Sequence, residues 1–204
     1  MAGSRFPFDY PRKPHRRKHG PTGYTNYAKY RDWLRDEFEF RCVFCLSREA
    51  WGTFVGVWDI DHLLPRVIRP DLALEYDNLL YACHGCNLCK RAHIFPDPSQ
   101  QAYGQHLRVD HDGKIHGKTP EGRRMIRLLK LDRSTARRYR WLKIREERSL
   151  AQTDPEAHRV FMGYPDELPD IEALDKEVPR NNRSAGVAES CLARRKRGVL
   201  PETY

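Results

Sequence analysis

Apolar residues along this chain follow two different spacings, and the places where the spacing changes mark out its elements. Across residues 24–40, Tyr27, Tyr30, Leu34 and Phe38 recur at steps of three and four, which predicts an amphipathic helix. Residues 51–60 are aromatic and β-branched with glycine punctuation, which predicts a strand or hairpin. Pro65 and Pro70 bound the next stretch. Leu79-Leu80-Tyr81-Ala82 is an apolar run of strand length, and residues 85–92 read as a short helix closed by Pro96 and Pro98. The short runs 106–110 and 114–116 flank Asp112-Gly113, the signal of a β-hairpin. Thr119 then supplies an N-cap and Pro120 a first helical residue, predicting a helix to about residue 131. Asp132 or Ser134 opens a longer helix to about residue 150.

The two ends lack such periodicity. Residues 1–23 hold four prolines, three glycines and a basic run over 12–19, a composition that predicts a flexible basic arm. Beyond residue 150 the apolar pattern fades. Residues 151–180 carry eight acidic side chains against three basic ones, and 181–204 turn basic again, so 151–204 is expected to be a tail of low order. Residues 24–150 remain as the one folded domain, a size that 204 residues can supply. No internal repeat is visible.

Charge narrows the partners. Lys and Arg number 37 against 28 Asp and Glu, a net +9, which favours a polyanion such as nucleic acid. Candidate phosphate contacts are Arg16 and Arg17 in the arm, and Arg123, Arg124, Arg127, Arg137, Arg138 and Arg140 in the two basic helices. Residues 123–148 carry eleven Lys or Arg against three Asp or Glu. Mean hydropathy is −0.80, and no apolar run approaches the roughly 18 residues of a membrane span. With no secretory-type leader either, a cytoplasmic protein without a membrane partner is the expectation.

Six cysteines include two C-x-x-C pairs, Cys42/Cys45 and Cys83/Cys86. In a reducing compartment four such thiolates suit one structural, tetrahedral Zn²⁺. Cys89, three residues after Cys86, is expected to be a core thiol. The 37 residues between the pairs exceed the roughly 15–20 of a simple zinc ribbon, so the intervening chain must loop out and return. It carries Asp59-Ile60-Asp61-His62-Leu63-Leu64-Pro65. Hydrolysis of a phosphodiester needs an activated water and a Lewis acid. His62 suits the first task as a neutral base near pH 7, and Asp61 offers a hard oxygen to Mg²⁺ or Mn²⁺. Neighbours on a strand face opposite ways, so the two can share a site only where the strand ends. Asp59 is a supporting carboxylate or a solvated residue.

These residues, with Asn78-Leu79 and Cys83-x-x-Cys86-Asn87-x-x-Lys90 after them, resemble the HNH endonuclease superfamily. Its pattern is an acidic residue and His before an apolar-x-Pro, then Asn-Leu, then C-x-x-C-Asn-x-x-Lys. The match covers about residues 40–95. The resemblance implies an α+β fold with a small ββα-metal core stapled by the four-cysteine zinc site and flanked by helices. It also implies DNA hydrolysis to 5′-phosphate and 3′-hydroxyl ends, with His62 activating water, Asp61 and Asn87 holding the catalytic metal, and Asn78 orienting the histidine. The third family position is often histidine and is Asn87 here, which favours Mg²⁺ or Mn²⁺ over a second Zn²⁺. Lys90, three residues after Asn87 on one helix face, is expected within reach of the scissile phosphate. Double-stranded DNA is the expected partner, with no organic cofactor. The alternatives are a zinc-ribbon module that binds nucleic acid without cutting it, and a nuclease acting on RNA.

Overall fold

The computed structural model describes residues 6–51, 58–177, 182–183 and 185–204. It mixes helix and strand around two small antiparallel sheets. Strand β1 (Trp58–His62) pairs with β2 (Leu79–Cys83), His62 opposite Leu79 and Trp58 opposite Cys83. Leu79, Leu80, Tyr81 and Ala82 are all buried, as an apolar run without alternation requires. The Trp58 and Tyr81 rings stack across the pair with centroids 5.2 Å apart. Of the stretch expected as a strand or hairpin, residues 52–57 lie outside the described residues and 58–60 fall in β1.

Helix α2 (His84–Lys90) follows β2 without a break and packs on both strands. Helix α1 (Arg31–Glu37) lies against β2 after a 3₁₀ turn, Tyr27–Tyr30, that Asn26 caps by accepting from the Ala28 amide. The periodic stretch is thus shorter as a helix than its apolar spacing predicts. Tyr30, Leu34 and Phe38 are buried as that spacing requires.

A one-turn helix, α3 (Tyr103–His106), leads into the hairpin of β3 (Leu107–Val109) and β4 (Ile115–Gly117). Gly113 turns it at φ +72°, and a Cβ there would sit 2.6 Å from the Trp141 amide nitrogen, so both conformation and space require glycine. Helices α4 (Pro120–Leu129) and α5 (Ser134–Thr153) follow close to their predicted positions.

Both ends differ from expectation. The basic segment is packed against the body, with Phe8 and Tyr10 buried and the Tyr10 hydroxyl donating to the Phe44 carbonyl at 2.6 Å. Three of its side chains meet a buried acidic pair at the end of α1. His15 lies 2.7 Å from Glu37, while the Lys18 ammonium and the His19 ring reach Asp36 at 3.0 and 2.8 Å. Buried carboxylates demand such partners.

The C-terminal segment forms α6 (Pro155–Met162), α7 (Ile171–Glu177), α8 (Gly186–Glu189) and α9 (Cys191–Lys196). It buries Phe161, Met162, Ile171, Cys191 and Tyr204. Widely spaced anchors, too few to give a period, hold it down. Among the described residues no helix is long and apolar enough to cross a membrane.

Candidate active site

Four cysteines meet beside the β1–β2 pair. Cys42 and Cys45 sit on a tight turn after α1, in which the Cys42 amide donates to Ser47 and the Val43 amide donates to Tyr81 of β2. Cys83 closes β2 and Cys86 lies in the first turn of α2. All four sulfurs lie within 4.8 Å of one another, a donor set that could hold a metal ion such as zinc. Burial holds the Cys42 thiol well up, whereas hydrogen bonds from Cys42, Cys83 and Cys86 bring Cys45 well down. Cys89 stands outside this set, half-buried, with the Arg133 guanidinium 3.6 Å from its sulfur.

Strand β1 ends at His62, and this ending lets adjacent side chains share one space. Asp61, His62 and Asn87 line a cavity of about 300 Å³ together with Tyr27, Ile60, Pro65, Arg66, Val67, Arg91 and Ala92. The His62 Nε2 lies 3.1 Å from the Ala73 carbonyl. A carbonyl only accepts, so the neutral ring carries its hydrogen on Nε2 and keeps the Nδ1 lone pair. Burial lowers the His62 pKa, with the Arg66 and Lys90 charges acting the same way, and the neutral ring is favoured. Tyr27 packs edge-on against it at 5.0 Å.

Burial also pushes the Asp61 carboxyl up to about 6, against the pull of Lys90. One oxygen, Oδ1, accepts from the Lys90 ammonium at 3.1 Å. The other, Oδ2, is buried and has no partner. Asn87 donates its amide nitrogen to Asp59 at 2.9 Å, which leaves its side-chain oxygen as the free end. Asp59 also accepts from His84 at 2.9 Å and is a supporting carboxylate. Asp61, whose Oδ2 has no partner, and Asn87, whose amide nitrogen is taken by Asp59, thus line one cavity, and hard oxygens of the kind they offer fit Mg²⁺ or Mn²⁺.

Two expected roles change. Lys90 is fully buried, and its ammonium donates to Asp61 and, at 2.6 Å, to the His62 carbonyl. It ties Asp61 to the strand end and, being fully buried, is not on the exposed helix face expected of it. Asn78 does not touch the His62 ring. It accepts from the Leu64 amide at 2.8 Å and donates to the Leu64 and Leu72 carbonyls, each at 3.1 Å, fixing the loop whose Ala73 carbonyl holds His62.

The basic residues divide as well. Arg17 is spent on the protein, donating to Leu79 at 2.8 Å and lying over the Phe38 and Tyr76 rings. Arg124 donates to Ile94 and Glu121, Arg137 reaches the Asp112 carbonyl, and the buried Arg140 ties Gly113 to Leu131. Arg16, Arg123, Arg127 and Arg138 are exposed. Sequence reasoning passed over Arg66 and Arg91; their signal was adjacency to Pro65 and to Lys90.

No family model matches the chain, and no curated protein matches it significantly.

Proposed function

We propose that the chain is a metal-dependent endonuclease of the HNH type that hydrolyses DNA phosphodiester bonds. The observation that carries this reading is that Asp61 with its unpartnered Oδ2, Asn87 with its amide nitrogen held by Asp59, and His62 with its Nε2 held by a carbonyl line one cavity. The sequence of two antiparallel strands and a helix that positions them, and the net charge of +9, support it further.

Asp61 and Asn87 would hold one Mg²⁺ or Mn²⁺, which when bound supplies positive charge to the phosphate oxygens and the departing 3′ oxygen. His62 Nδ1 takes a proton from the attacking water. Attack in line with the 3′ oxygen leaves a 5′-phosphate and a 3′-hydroxyl. Lys90 keeps Asp61 oriented, Asp59 keeps the Asn87 oxygen turned to the cavity, and a Zn²⁺ on the four cysteines would anchor the start of α2 and hence Asn87.

Plasmid DNA incubated with purified protein and Mg²⁺, Mn²⁺ or EDTA tests this, beside His62→Ala prepared identically. The expected result is cleavage that needs the added ion and falls by roughly 10²- to 10⁴-fold in the variant, with thermal stability and zinc content unchanged. Equal cutting by both proteins would overturn the role of His62. DNA binding without cutting under every ion would favour a binding module, and cleavage of RNA alone would move the substrate.

A further inference from the structure

With Lys90 buried, the cavity lacks the cation expected to grip a phosphate, and two arginines occupy its rim. Arg66 and Arg91 line the same cavity as Asp61, His62 and Asn87. Both are exposed, and neither guanidinium bonds a described carboxylate or carbonyl. The Arg66 guanidinium lies 5.0 Å from the Tyr27 ring centroid, and Tyr27 in turn packs on His62, so one aromatic ring lies against both groups. Arg91 caps α2 with φ 49° and ψ −128°, a backbone turn that ends the helix right after Lys90 and separates a buried cation from an exposed one. Sparsely populated conformations of this kind gather at functional sites.

We infer that Arg66 and Arg91 form a two-guanidinium clamp on the nucleic-acid backbone at this cavity. The inference rests on the nuclease reading for its substrate and deepens it by naming what holds the phosphates. The chemistry is specific to arginine, whose planar fork bonds two phosphate oxygens at once where an ammonium offers a point charge.

A labelled DNA duplex, bound in EDTA across a salt series and then cleaved in single turnover with Mg²⁺, tests the clamp in Arg66→Ala and Arg91→Ala. Arg69→Ala is the control for charge alone. It lies in the same exposed segment, outside the cavity lining, with its guanidinium 2.6 Å from Asp71. Each clamp variant is expected to reduce the slope of log affinity against log salt by about one and the cleavage rate on the order of 10²-fold, with Arg91→Lys recovering only part. Arg69→Ala is expected to match the wild type, and all melts to coincide. Clamp variants that follow Arg69→Ala in both readouts, in a protein that cuts, would overturn the clamp alone. A protein that never cuts, yet loses a unit of slope with each clamp arginine, would sink the hydrolytic reading and leave the clamp standing.

Discussion

Lys90 makes two hydrogen bonds at full burial, to Asp61 and to the His62 carbonyl, and this decides what its loss would do. A surface phosphate ligand could be removed without harm to the fold. Removing one partner of a buried ion pair costs about 3–5 kcal/mol, because the other charge is left without compensation. Lys90→Met is therefore expected to lower unfolding free energy by about 3 kcal/mol in a denaturant titration; unchanged stability would return Lys90 to the substrate. That Asp61 and His62 share one space was legible because the coming strand end is written locally, in Pro65, whereas Asn87, 25 residues further on, entered the set only through the resemblance. The direction of Lys90 was not legible. Helical spacing places it on the Asn87 face but cannot tell an inward residue from an outward one when the helix has seven residues.

At the scale of elements, the four-cysteine cluster joins the turn after α1 to the β2–α2 junction, two segments separated by 37 residues of chain. A metal held there would contribute its binding free energy to the folding of the region that carries Asn87. Cys83→Ser is expected to lose bound zinc and to melt well below the wild type, and chelation of the wild type to reproduce that melt. A variant that keeps zinc content and melting temperature would exclude the cluster as a staple. Elements with terminal signals were legible. Thr119 caps α4 by accepting from the Gly122 amide at 3.0 Å, and Asp112-Gly113 turns the hairpin. Helix α1 came out shorter than its apolar stripe because an apolar period constrains which face is buried and leaves open whether the first turn is α or 3₁₀.

Across the whole molecule, the two ends expected to be loose are tied to one point. Asp36 and Glu37 take His15, Lys18 and His19 from the N-terminal segment, and Asp36 also accepts from the Cys191 amide at 2.6 Å. A run of charge in sequence carries no mark of its distant partner, so composition alone read both segments as solvated. Burial acts to raise the Glu37 carboxyl, but the hydrogen bond and charge of His15, with Arg17 and His19, outweigh it and bring the pKa from 4.5 down to about 2. Burial acts to raise Asp36 in the same way, and His19 and Lys18 outweigh it there too, leaving that carboxyl below its ordinary value. Because the folded state holds these protons less tightly than the unfolded chain, the stabilisation is complete above about pH 4.5 and is lost as pH falls toward 2. For Glu37 the shift corresponds to about 3 kcal/mol. Unfolding titrations from pH 7 to pH 2 are expected to find a steep loss of stability across that window, and Glu37→Gln, which cannot titrate, a shallower one from a lower start. The two curves falling in parallel would place the acid sensitivity elsewhere. A shallower curve would tie the N-terminal segment to α1 through this carboxylate.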